Sequence, residues 1–571
     1  MMGSEASDIK LYVFSRYKSK ILMIIIFVFF ASGCSSYKFL SFNKKQSKLS
    51  AEKIFSVADF SNSTKDDLYQ MCLSLGRETL EDMVRLLACT NALLAEDELS
   101  DQQQHFAIAE YNLSLNKIIS PLLNNMQHTP YHFGNLSISF DTDLQGDIYL
   151  LSDLSLHDQE LQFTVFGELG VEGVFARKNT TQGNDEHYPL EGVYRSINFN
   201  LSQLTKVGSK WQLKIASEIL LQQKSKIIGK NKYSLNYSPA AAYLLLVEQA
   251  DIDQLSWTGM INPSEADVRR GIFAIEELND NKIPILMTHG LNSDPLIWLK
   301  LTLALLNDRQ LHKTFQIWHT YYPSGTPPFY NAMMIRKRLK NILLKHPGLN
   351  KKNKGVFIGH SMGGIVNKTM VTDSGYQLWD ATYTLRPDEL LQQSSDYEME
   401  KIYIFEPVFE KNISFFVDTP HKGSNTASSL VGYLGSSLIT LSDKFLDLNR
   451  SFINRIGADK LTLRMLPFMQ DFGPNSVQTM RPGHPLVEVL DELPIHGKVY
   501  SVIGSQSILS CQSEQQCLEI NDGVVDYISA HNQQAEEEIV VSSSHDSYKN
   551  EKSISFILEK LREATFKAKL R

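Results

Sequence analysis

The sequence predicts an α/β domain with a mostly parallel sheet flanked by helices, preceded by a smaller domain that is helical and then mainly β. Three observations carry that prediction. The hydrophobic period is helical over residues 51–128, becomes two over 129–260, and gives way over 265–571 to short β-rich apolar runs alternating with longer helical segments. Within the last part, Val356-Phe357-Ile358 leads into Gly359-His360-Ser361-Met362-Gly363-Gly364 and then a helical stretch, which reads as a strand, a sharp turn with serine at its apex, and a helix. The chain has 571 residues, more than one domain usually needs, so two or three are expected.

At the N-terminus, Lys10, Arg16, Lys18 and Lys20 precede the apolar run Ile21 to Phe30, which is followed by Ala31, Ser32, Gly33 and Cys34. A charged stretch, an apolar stretch too short to span a bilayer and a small-residue cleavage site make an export signal. Residues 1–33 resemble a bacterial lipoprotein signal peptide, which implies that Cys34 is the lipid-modified first residue of the mature chain and anchors it to a membrane. Ala31 stands where that motif usually has leucine, and an ordinary signal peptide or an uncleaved anchor are the other readings. Ser35, with no aspartate in that position, resembles lipoproteins sent on to the outer membrane. Residues 34–50 are polar and lysine-rich, as a tether requires.

The helical segment 51–128 shows Leu68, Met71, Cys72 and Leu75 at i, i+3, i+4, i+7 spacing, repeated by Leu80, Met83, Val84 and Leu87. Four cysteines fall into two local pairs, Cys72 with Cys89 and Cys511 with Cys517, and an oxidising compartment permits both bridges. Neither pair has metal-site spacing. Over 129–260, alternation predicts strands at Leu136-Ile138-Phe140, Leu161-Phe163-Val165, Ile197-Phe199-Leu201 and Trp211-Leu213-Ile215. Nothing in this accessory part points to chemistry. A net charge of -8 and the absence of a basic stripe interleaved with aromatics exclude a nucleic-acid surface.

In the C-terminal part, Ile283 to Thr288 reads as a buried strand ending in His289-Gly290-Leu291. With Gly359 to Gly364, Thr419-Pro420-His421-Lys422-Gly423-Ser424, and Tyr322-Pro323-Ser324-Gly325 between strand and serine, residues 265–571 resemble serine lipases and esterases of the α/β-hydrolase fold, and bacterial exported hydrolases among them. The resemblance implies that Ser361 is the nucleophile and that the Leu291 and Met362 main-chain N–H groups hold the oxyanion. It places the acid and then the histidine after the serine. Asn521-Asp522-Gly523-Val524-Val525 is similar to the acid-bearing element of such lipases, so Asp522 is the expected acid, with Asp418 at the end of the strand Ser414 to Val417 as runner-up and Asp526 third. His545 lies between the strand-like Ile539-Val540-Val541 and a terminal helix, where this fold carries its base; His531 is the rival. His289, His360 and His421 read as structural histidines of the turns around the site.

The expected reaction is ester hydrolysis through an acyl-enzyme on Ser361, with no metal or organic cofactor required. A lipid or acyl-ester substrate follows from the expected membrane tether at Cys34. Segments 376–412 and 426–470 are long for connections, and Leu430, Tyr433, Leu434, Leu438 and Leu441 form an apolar stripe that reads either as an acyl-pocket lid or as a helix packed on the sheet. An acyltransferase, an amidase or a thioesterase shares the same parts, and a surface-tethered binding protein is the non-catalytic alternative.

Overall fold

The computed structural model describes residues 40–42, 55–58, 60, 63–123, 130–142, 144–158, 160–250, 263–393, 395–425, 441–469 and 474–569. The export signal, Cys34, most of the tether, and the stripe from Leu430 to Leu438 lie outside these residues. No described helix is long and apolar enough to cross a membrane.

The C-terminal sheet has seven strands: β1 (Gly271–Ala274), β2 (Ile283–Thr288), β3 (Phe315–Tyr321), β4 (Lys354–His360), β5 (Lys411–Val417), β6 (Lys498–Ser505) and β7 (Glu537–Ser542). Their spatial order is β1-β3-β2-β4-β5-β6-β7; β1 runs antiparallel to β3 and every other pair is parallel. With a serine turn after β4, this is the α/β-hydrolase fold. Both faces of a parallel sheet are covered by helices, so its strands read as continuous apolar runs. Along β4, Val356 and Ile358 enter one core with Ile285, Phe415 and Leu301, while Phe357 enters the other with Trp318, Ile365 and Trp379. Helices α1 (Pro328–Lys345) and α2 (Met362–Lys368) bury apolar residues in the second core, and α3 (Glu551–Lys569) places Phe556, Ile557 and Leu561 in the first.

The N-terminal part stacks three helices, Lys65–Ser74, Leu80–Leu94 and Asp101–Ile119, on a six-stranded sheet. Each helix starts with a reciprocal capping box, Thr64 with Asp67, Thr79 with Asp82 and Ser100 with Gln103, so two of its unpaired N–H groups are satisfied locally. A disulfide joins Cys72 to Cys89 with Cα atoms 5.7 Å apart, tying the first two helices through their buried faces. Strands Leu136–Phe140, Val193–Val207 and Lys210–Ile219 occupy three of the four expected positions. Where the strand Val193–Val207 bulges between Leu201 and Gln203, the Leu201 N–H donates to the Tyr111 hydroxyl at 2.8 Å.

Three features depart from the sequence reading. Leu161 to Val165 forms no strand; its main chain is bound instead by one side chain, with the Thr164 N–H donating to Asn307 Oδ1 and Asn307 Nδ2 donating to the Gln162 carbonyl. Leu40–Phe42, in the segment read as tether, pairs antiparallel with Leu154–Leu156. The third departure is the helix Pro239–Gln249 inside the stretch read as β. Ser238 caps it and Pro239 opens it, and Ala240 to Val247 are all buried. It lies between the strand Val193–Val207 and the helix Leu299–Asn307, so the accessory sheet and the hydrolase sheet share one core.

Candidate active site

The site is built on the turn after β4. Ser361 has φ 52° and ψ -127°, a conformation that L-residues rarely adopt. Main-chain bonds fix it: the Ser361 N–H donates to the Val417 carbonyl on β5, and its carbonyl accepts from the Gly364 N–H, each at 2.9 Å. The turn is too tight for side chains. A Cβ on Gly359 would lie 2.6 Å from Gly364 Cα, and one on Gly363 would lie 2.3 Å from the Thr288 carbonyl oxygen at the end of β2. Gly364 is required as well, because a Cβ there would lie 2.0 Å from Thr419 Oγ1. That third requirement comes from β5, so the motif alone does not reveal it.

Ser361, His545 and Asp522 form a hydrogen-bonded chain. His545 Nε2 lies 2.9 Å from Ser361 Oγ, and His545 Nδ1 lies 2.6 Å from Asp522 Oδ2. The other Asp522 oxygen accepts the N–H groups of Val524 and Val525 at 2.8 and 2.7 Å, which the tight turn through Gly523 at φ 95° makes possible. The carboxylate is therefore aimed before any substrate arrives. A carboxylate cannot donate, so the imidazole presents Nδ1–H to Asp522 and the Nε2 lone pair to the serine hydroxyl. Burial pulls the His545 pKa down, but the hydrogen bond and charge of Asp522, helped by the charges of Asp418 and Asp546, outweigh it and raise the pKa above the ordinary histidine value.

The other candidates stand elsewhere. Asp418 is fully buried, with φ 48°, and does not bond to His545; its two oxygens accept the Gly504 N–H at 2.8 Å and the Ser547 N–H at 3.0 Å. Burial and the nearby Asp522 charge push its pKa up, against the opposing pull of His545 and of those N–H groups. His360 Nε2 donates to the His545 carbonyl at 3.2 Å, so Asp418 and His360 together brace the loop that carries the base. The facing ring nitrogens and carboxylate oxygens of His360, Asp418 and His545 cluster within 4.8 Å, and each ring or carboxylate already has a protein hydrogen-bond partner. Asp526 caps the short helix Tyr527–Ala530. His531 stacks on Tyr527 and pairs with Glu538 at 3.0 Å, away from the serine chain. His289 and His421 are buried; burial lowers the pKa of both, to about 4 for His289, and each packs edge-on or stacked against an aromatic ring.

Beside the serine, a Cβ on Gly290 would lie 2.9 Å from Ser361 Cβ, so the His289-Gly290-Leu291 turn lies against the elbow. Among the described residues, neither the Leu291 nor the Met362 main-chain N–H has a protein acceptor. The second cysteine pair, Cys511–Cys517, closes a small loop on the segment between β6 and Asp522. Residues 376–412, long enough to suggest a lid, contain the helices Gln377–Thr382, Pro387–Leu390 and Asp396–Tyr403; Trp379, Tyr383 and Tyr403 pack against one another, and Trp379 and Tyr383 also meet Phe452.

No family model matches the sequence, and no curated protein matches it. Among solved structures the chain is similar to a Bacillus licheniformis lipase in mature form, at 16% identity over 51% of this chain and 97% of that one, with a TM-score of 0.30. It is similar to a carboxylesterase structure from the thaumarchaeon Nitrososphaera gargenis, at 14% identity over 52% and 96%, with a TM-score of 0.26. It is also similar to a phospholipase from Legionella pneumophila, at 12% identity over 44% and 45%, with a TM-score of 0.24.

Proposed function

We propose that this protein is a serine hydrolase of carboxylic esters. The observation that carries the reading is the chain Ser361–His545–Asp522, with contacts of 2.9 and 2.6 Å, on a strained turn beside two main-chain N–H groups without an acceptor among the described residues. Ser361 Oγ attacks the ester carbonyl as His545 Nε2 takes its proton. Negative charge develops on the carbonyl oxygen, and the Leu291 and Met362 N–H groups receive it; deleting one such donor typically costs about 3 kcal/mol of transition-state stabilisation. Asp522 holds the reacting tautomer and stabilises the imidazolium. His545 returns the proton to the leaving alcohol and then activates water, which releases the acid and regenerates Ser361.

An acyl-ester or lipid substrate follows from the expected membrane tether at Cys34. Lipid at Cys34 tethers the enzyme to the outer membrane and holds the site near phospholipid. Full-length protein in mild detergent, assayed on short- and long-chain esters and on phospholipid beside Ser361→Ala, tests the reading. Turnover by the native chain and its loss in the variant are expected; equal turnover by both, or none across the panel, rejects it.

A further inference from the structure

The Tyr322-Pro323-Ser324-Gly325 segment leaves β3 and takes no part in the serine chain, yet its two polar side chains grip the oxyanion turn from both ends. The Tyr322 hydroxyl donates to the His289 carbonyl at 2.5 Å, and its ring lies on the His289 ring with centroids 4.4 Å apart and planes 10° from parallel. Two residues past Gly290, the Asn292 N–H donates to Ser324 Oγ at 3.1 Å. Asn292 has φ 47°, in the left-handed region that asparagine enters more readily than other non-glycine residues.

The gripping segment is itself rigid. Tyr322 and Ser324 have no solvent exposure, and buried Asn331 on α1 donates through Nδ2 to the carbonyls of Pro323 at 3.0 Å and Thr326 at 2.9 Å. The Ser476 N–H closes the far side on the Gly325 carbonyl at 3.1 Å. The bonds at His289 and Asn292 bracket the two residues between them, Gly290 and Leu291. Gly290 has no side chain to anchor it, and a Cβ there would lie 2.9 Å from Ser361 Cβ. A main-chain donor adds to catalysis only while it points at the place where charge develops, and a misplacement of about 1 Å can cost about 100-fold in rate.

We propose that Tyr322 and Ser324 are positioning residues that hold the Leu291 N–H on the developing oxyanion. This rests on the ester-hydrolase reading above. Neither residue touches substrate. Their effect is confined to the transition state, because the ground-state ester needs no strong donor at that point.

The test compares full-length native protein, Tyr322→Phe, Ser324→Ala and Ser361→Ala on a p-nitrophenyl ester, recording kcat, KM and the pH midpoint of kcat/KM. Tyr322→Phe and Ser324→Ala should each lower kcat roughly 10- to 100-fold, short of the roughly 100- to 1,000-fold loss from deleting a donor outright. KM and the pH midpoint, which reports His545, should stay as in the native protein. General loosening of the site would move KM or the midpoint as well, and either shift overturns the proposal. Values of kcat within twofold of native in both variants also overturn it. If Ser324→Ala does not fold, Tyr322→Phe, which loses one oxygen and keeps the stacked ring, decides the matter alone. Equal turnover by Ser361→Ala and native protein removes the parent reading and this one with it; Ser361-dependent turnover that ignores Tyr322 and Ser324 removes this one only.

Discussion

The two halves of the candidate site are held by different forces. On the serine side, Gly359 and Gly363 let backbone meet backbone, Gly290 and Gly364 leave room for Ser361 and Thr419, and the conformation of Ser361 is enforced by close packing and main-chain bonds. On the acid–base side, side chains bond to backbone and to one another: Asp522 to Val524, Val525 and His545, Asp418 to Gly504 and Ser547, His360 to the His545 carbonyl. The packed half fails by steric collision and takes the fold with it. The bonded half can lose a single proton relationship while the fold survives.

The sharpest contrast comes from Asp522→Asn. The amide keeps the shape, but it can present an N–H toward His545 and reverse the tautomer, an exchange that costs about 10⁴-fold in kcat in a comparable triad. The melting temperature should fall little by comparison, and steady-state kinetics beside a thermal melt measure both. A variant that retains a tenth of native kcat would move the acid away from Asp522. The same pair predicts the pH profile. Neutral His545 is the working base, so kcat/KM should rise with pH through a midpoint above the ordinary histidine value of about 6.5. In Asp522→Asn that midpoint should move down, because the group that raises it is gone. Stability runs the other way: a raised folded-state pKa favours the protonated ring, so this contribution is present below the unfolded pKa and is lost as pH rises through the folded one.

Gly363→Ala probes the packed half. The new methyl would meet the Thr288 carbonyl at 2.3 Å and the His289 carbonyl at 2.4 Å, both main-chain atoms that cannot swing aside. A destabilisation of about 4 kcal/mol or more, or failure to accumulate as folded protein, is expected. Native-like melting with normal turnover would show that close packing does not govern the elbow.

Asp418→Ala should fall between the two. It strips the acceptor from two buried N–H groups, Gly504 and Ser547, at about 1–3 kcal/mol each by the usual cost of an unpaired buried group. Removing a buried carboxyl whose pKa burial has pushed up returns part of that cost at high pH. Denaturant unfolding should therefore show lower stability, with a smaller deficit at high pH than at low, and kcat should fall by less than in Asp522→Asn. A kcat loss as deep as that of Asp522→Asn would assign Asp418 a direct part in the proton transfer.

Some of this was written in local patterns. The period change near residue 130 separates helices from strands because side-chain direction repeats every 3.6 residues in one and every two in the other. The strand–turn–helix around Ser361 follows from apolar residues before it and glycines at two fixed offsets, since only glycine fits a backbone that close. Local pattern failed where the partner was distant. Leu161 to Val165 alternates like a strand but meets Asn307, 143 residues from Thr164, and the buried helix after Ser238 has no polar face to show a helical period. Gly364 is needed only because β5 brings Thr419 against it.

The choice between acids belongs to the same class. The sequence by itself supplied a serine elbow, an aspartate at a strand end, another in a later Asn-Asp-Gly-Val-Val element and a histidine after the last strand, in the order the fold uses. Which aspartate faces His545 was decided by the sheet. With β5 next to β4, Asp418 lies deep between strands, where two main-chain N–H groups occupy its oxygens; Asp522, beyond β6 on a turn that bends back toward β7, reaches the ring. Backbone sterics and side-chain periodicity act within a few residues and can be read along the chain. A hydrogen-bond partner is set by which strand ends the fold brings together, and that is fixed only once the strands have taken their order.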